Sequence, residues 1–229
     1  MSRRHHFSPG ACVCLVLATG CPTDDPASTD PSAETESNAE GSSGIGTTAA
    51  TTTTGDAADE TGTGGTVVVL ELGPVDDVSS DEANPDTNSG DQDRLRIENQ
   101  AGQSQQAFLR FAVDDIEGEI LSASLQLVLQ ESSEYGGDIF AIPENDPVSG
   151  MQWTEDSITW NDSIPVEGMP IDSVGPLPST GMVSFNLTGA VTLGAANSYA
   201  ITTPSDDEVV YWSKESADPP VLFVTVLQP

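Results

Sequence analysis

Beyond residue 21 this sequence of 229 residues contains neither cysteine nor histidine, and its basic side chains there are Arg94, Arg96, Arg110 and Lys214 alone. Each shortage excludes a class of chemistry. With no pair of thiols, no disulfide can form beyond residue 21, and the core must be held by packing. With no imidazole or thiolate, neither a Cys/His zinc site nor a Ser-His or Cys-His nucleophilic mechanism can be built there. Four cations against 37 Asp+Glu give a formal charge of −33 from Cys21 onward. Nucleic acid, which is bound through clustered Lys and Arg that release counterions, is thereby excluded as a partner. An anionic membrane surface is an equally poor direct ligand. Long apolar runs are missing as well: the one at 11–18 (ACVCLVLA) is far short of the ~20 residues a spanning helix needs.

That short run follows Arg3 and Arg4 and precedes Thr19, Gly20 and Cys21, the order of an exported signal segment. The ending Leu17-Ala-Thr-Gly-Cys21 resembles a bacterial lipobox, with Ala18 where leucine is usual and Leu17 one place earlier. The resemblance implies a signal peptide at 1–20 and lipid attachment at Cys21. Cys12 and Cys14 would leave with the signal. Pro22 follows in place of the aspartate that retains some lipoproteins at the inner membrane. The expected location is the bacterial cell envelope, at the outer membrane or cell surface, with membrane contact through the lipid anchor only. Arg3-Arg4 lacks the rest of a twin-arginine motif.

Residues 21–65 are built almost wholly from Thr, Ser, Pro, Ala, Gly, Asp and Glu, with Ile45 their one large aliphatic. Such a segment buries too little apolar surface to offset its ordering entropy, so a disordered linker is expected. As a flexible coil it would hold the rest of the chain roughly 35–40 Å from the lipid. Its Thr and Ser also suit O-glycosylation.

At Thr66 the texture changes. Leu121, Ala123, Leu125, Leu127 and Leu129 alternate with Ser122, Ser124 and Gln126, the period-two pattern of a half-buried strand. Further strands are expected at 66–72, 94–98, 107–113, 138–142, 157–160, 182–187, 198–203, 208–213 and 221–227, and 76–93 reads as an acidic turn segment. Many short strands separated by Gly, Pro, Asn and Asp, with no helical periodicity, predict an all-β fold. The expectation is one antiparallel β-sandwich, jelly-roll-like, over 66–229, in a monomeric chain.

Several short motifs then fall in order. Asn84-Pro-Asp-Thr-Asn-Ser-Gly90 precedes Asp93-Arg94-Leu95-Arg96, and Phe108-Leu-Arg-Phe111 follows. Trp153-Thr-Glu155, Thr159-Trp-Asn161, Val183-Ser-Phe-Asn-Leu-Thr188, Ser213-Lys-Glu215 and Pro219-Pro-Val-Leu-Phe-Val-Thr225 complete the series. Together they resemble the DNRLRE domain, also classed as carbohydrate-binding module family 96, over about 76–227. The resemblance implies polysaccharide as partner. Segments 131–150 and 162–181 match none of its motifs, and Thr225-Val226 stands where an aromatic is common. Such loops are where specificity is usually set.

Within this frame Arg94, Arg96 and Arg110 have two roles open to them. They could pair with uronate carboxylates, or with acids of the sandwich such as Asp114, Glu155 or Glu215. With 28 of the 37 acids beside four cations over 66–229, a formal −24, structural ion pairs of Arg94, Arg96, Arg110 and Glu215 are favoured, and a neutral glycan is favoured over a polyanion. Sugars stack their apolar faces on aromatic rings. Trp153 and Trp160 fall in framework motifs and are expected in the core. Tyr135, beside Gly136-Gly137, and one of Tyr211 and Trp212, which alternation sends to opposite faces, are the candidate ligand-binding residues.

Asp86, Asp91 and Asp93 lie in a turn dense in oxygen ligands that could hold a structural Ca²⁺, although an Asx-rich turn needs no metal. No other cofactor is expected. Paired carboxylates could hydrolyse glycosides, but among 28 acids some suitable pair is unavoidable, and no motif groups lyase residues. The expectation is therefore not an enzyme but a noncatalytic envelope module. A structural or adhesive surface protein that meets another protein is the alternative.

Overall fold

A computed structural model describes residues 65–147 and 149–229, together with the two-residue strand β1 (Thr51–Thr52). The signal peptide at 1–20, Cys21 and the linker, apart from β1, lie outside the described residues.

Two antiparallel sheets face each other. The first contains β2 (Thr66–Leu72), β4 (Arg94–Ile97), β6 (Glu119–Leu129), β9 (Gly181–Asn186), β11 (Val209–Trp212) and β12 (Val221–Gln228), with β1 on the outer side of β2. The second has the order β3 (Asp76–Asp81), β5 (Gln105–Ala112), β10 (Ala196–Thr202), β7 (Gly137–Ile142), β8 (Asp172–Val174). Helix among the described residues is limited to the single 3₁₀ turn Glu155–Ser157. The all-β sandwich read from the sequence is the fold observed.

The alternation in β6 has the expected consequence: Ala123, Leu125, Leu127 and Leu129 are buried in the main core with Leu95, Ile97, Leu109, Phe111, Phe185 and Tyr211. Leu121 breaks the pattern and is 45 % exposed. Strand β12 pairs Thr225 with Ser122 and Val226 with Ile120, so Leu121 is the extra residue of a bulge. A bulge transfers the inward position to its neighbour, and Ile120 packs on the core instead.

Two expectations fail locally. Residues 157–160 form no strand; Ser157 ends the 3₁₀ turn and 158–160 follow it as irregular chain. Part of the acidic turn segment at 76–93 is the buried strand β3. Its polar sequence DDVSSD conceals a strand because distant partners engage some of its side chains: the Arg96 N–H donates to Ser79 Oγ at 2.8 Å, and the Lys214 N–H to Asp77 Oδ2 at 2.8 Å.

A second, smaller core lies outside the sandwich. On the outer face of the second sheet, Val78, Phe108, Ala200 and Ile142 are covered by Trp153, Ile158 and Ile164 from the segment between β7 and β8. That segment covers only part of the face.

Candidate functional site

The capped part of the outer face is tied down by one polar network. Register places Asp76 opposite Arg110, and their side chains form an ion pair. The guanidinium lies 5.8 Å from the centre of the Trp153 ring, within cation–π range. Trp153 Nε1 donates to Ser198 Oγ at 3.2 Å, and the Glu155 N–H donates to Asp76 Oδ1 at 3.1 Å. Glu155 then meets Lys214 Nζ at 2.7 Å, and the same ammonium contacts Glu215.

Burial pushes the Asp77 carboxyl up to about 7, against the opposing pull of the Lys214 backbone N–H. Burial also opposes the charge on Lys214, but its hydrogen bonds to Glu155 and Glu215 raise its pKa above the ordinary lysine value. Asp77, Glu155 and Glu215 offer carboxylate oxygens within 4.8 Å of one another, and the Lys214 ammonium supplies positive charge among them. Asp86, Asp91 and Asp93, the residues expected to offer ligands to calcium, are not part of this group. Asp86 accepts from Asn161 at 2.8 Å, Asp91 from Gln92 at 3.0 Å, and Asp93 pairs with Arg94 at 3.0 Å. Each of the three has a separate partner.

All three arginines have carboxylate partners within the sandwich, as the charge balance suggests. The partners are Asp93 for Arg94, Glu208 at 3.0 Å for Arg96, and Asp76 for Arg110. Glu155 and Glu215, expected as partners of arginine, are held by Lys214.

The aromatic candidates separate cleanly. Tyr211 is fully buried in the main core, with its hydroxyl donating to the Gly136 carbonyl at 2.6 Å; this removes it as a ligand platform. Trp212 is the outward, half-buried member of the pair, at a register position opposite Arg94. Tyr135 is half-buried, with its hydroxyl donating to Asp138 Oδ1 at 2.9 Å, and that bond raises its pKa. Trp153 is core as expected, whereas Trp160 is half-buried.

The uncapped part of the second sheet's outer face carries a polar row that no sequence motif signals. Ser80 stands opposite Gln106, Thr202 opposite Asp138, and Asp138 opposite Ser173. Since Ile201 is opposite Ala107, Gln106 and Thr202 are neighbours one position on. Phe140 is half-buried and lies on the same face. Beside these residues a groove of about 360 Å³ is lined by Phe140, Gln106, Thr202, Thr203, Asn99 and Glu98, together with Val166 and Gly168. The side chains of Asn99, Gln106 and Thr202 make no hydrogen bond with other described residues. Burial raises the Glu98 pKa, and the neighbouring charges of Glu208, Asp206, Asp81 and Asp207 add to the rise. Each of these residues is ordinary alone, so no local motif marks them. Alternation in 138–142, which sends Phe140 to the outer face, was the one available signal.

Against known protein families, residues 69–226, running from β2 to β12, match carbohydrate-binding module family 96. No curated protein matches the chain.

Proposed function

Because the chain belongs to carbohydrate-binding module family 96, we propose that it is a noncatalytic polysaccharide-binding protein, held at the bacterial cell envelope by a lipid on Cys21. The observation that carries the binding role is the extent of the match. It covers nearly the whole sandwich, so the binding module accounts for the folded unit itself. The absence of His and Cys beyond residue 21 supports a noncatalytic role by removing the commonest nucleophile–base pairs. The lipobox-like ending at Cys21 and the Thr-rich stretch behind it support an anchored, stalked arrangement.

Electrophoresis of the full chain through gels containing soluble polysaccharides tests the binding role. Retarded migration in at least one neutral polymer is expected, without release of new reducing ends. Unchanged mobility in every polymer would leave the protein-binding, adhesive role instead. Membrane fractionation of Cys21→Ala tests the anchor: the variant should move to the soluble fraction.

A further inference from the structure

We propose that the groove over Phe140 is the glycan-binding subsite, and that it takes one or two pyranose residues of a neutral polysaccharide. This rests on the polysaccharide-binding role proposed above and gives it a place and a chemical class.

Three observations converge on the groove. A pyranose has an apolar face of C–H groups and a rim of hydroxyls, so it calls for an aromatic floor with polar side chains around it. Phe140 is the half-buried aromatic that lines the groove, and Gln106, Thr202 and Asn99 line it with donors and acceptors that no other described residue engages. A volume of about 360 Å³ falls at the small end of the range for small-molecule sites, which suits one or two sugar rings. Gln106, Thr202 and Phe140 stand on strands of one sheet, so their spacing is fixed by hydrogen-bonded register.

The groove also has a sign. Glu98 lines it, and Asp81, Asp206, Asp207 and Glu208 act on Glu98 as like charges. No Arg or Lys lines it. A uronate entering would meet carboxylates with no cation to pair with. Hydroxyls face no such penalty, and Glu98 can accept from them. The rival place is Trp212 on the outer face of the first sheet. It lies beside Arg94 and in register with the strand that carries Arg96, yet both arginines are already paired.

The test measures affinity of the full chain for neutral polymers (β-glucan, xylan, galactomannan) and uronate polymers (alginate, polygalacturonate), in wild type and in Phe140→Ala, Gln106→Ala and Trp212→Ala. Gln106→Ala removes a side chain without a hydrogen-bonding partner, so it retains the fold even if Phe140→Ala does not. Expected results are binding to a neutral polymer, a loss of tenfold or more in Phe140→Ala, a loss of about fivefold in Gln106→Ala, and no change in Trp212→Ala. Neutral binding that Gln106→Ala leaves unchanged and Trp212→Ala abolishes would overturn the site while sparing the polysaccharide-binding role. Binding confined to uronates would overturn the ligand class. Absence of binding to any polymer by wild type would overturn both the role and the site.

Discussion

Asp77 shows at the scale of one residue how this acidic chain places a carboxyl group inside its fold. Its Oδ2 accepts from the Lys214 backbone N–H, yet burial dominates and raises the carboxyl from its ordinary 3.8 to about 7. Between those values the folded state holds a proton that the unfolded chain releases, so stability is greatest below the lower value and is lost as pH rises through about 7. Asp77→Asn keeps an amide oxygen to accept from Lys214 and carries no charge to bury. The midpoint of urea unfolding of wild type should fall more steeply between pH 4.5 and 7.5 than that of the variant. Parallel profiles would show that Asp77 is already ionised in the fold at low pH. The sequence indicated that scarce cations would be consumed internally, because four of them face so many acids. It could not pair them, since Arg110 and Asp76, or Lys214 and Glu155, meet only after segments far apart in sequence are brought together.

Among the elements, the segment between β7 and β8 does the most that strand reading would not predict. It packs Trp153, Ile158 and Ile164 on the outer face of a sheet whose inner face is already buried. Trp153→Ala should therefore cost about 3–5 kcal/mol, read as a lowered urea midpoint. It removes the ring that packs on Phe108 and flanks Arg110. A loss below about 1 kcal/mol would mean that the cap is not part of the cooperative unit. Strand β6 was legible because its alternation is local and nearly complete. Strand β3 was not, because the groups that engage Asp77 and Ser79 come from β4 and from the turn after β11, which no local window contains. The residues of the groove were hidden for a related reason. Gln106, Phe140 and Thr202 come from three strands, and only register makes them neighbours.

For the whole molecule, charge and connectivity matter most. A formal −24 over 66–229 is self-repulsion that salt screens, over a Debye length falling from about 30 Å at 0.01 M to about 8 Å at 0.15 M. The thermal midpoint of the full chain should rise by several degrees between 10 and 200 mM NaCl; a midpoint that does not move would show that the surface acids are already compensated. Connectivity carries a different consequence. The strands that open and close the sandwich, β2 and β12, are hydrogen-bonded neighbours, with Thr66 opposite Gln228. A short Gly/Ser bridge between those positions would span only the width of a strand pair, and a new opening could be made at the exposed pair Glu131-Ser132. Such a permuted chain should fold to the same circular dichroism spectrum and a similar urea midpoint. Topologically the sandwich is a loop of thread cut at one point, and where the cut falls is a matter of gene order, not of physics.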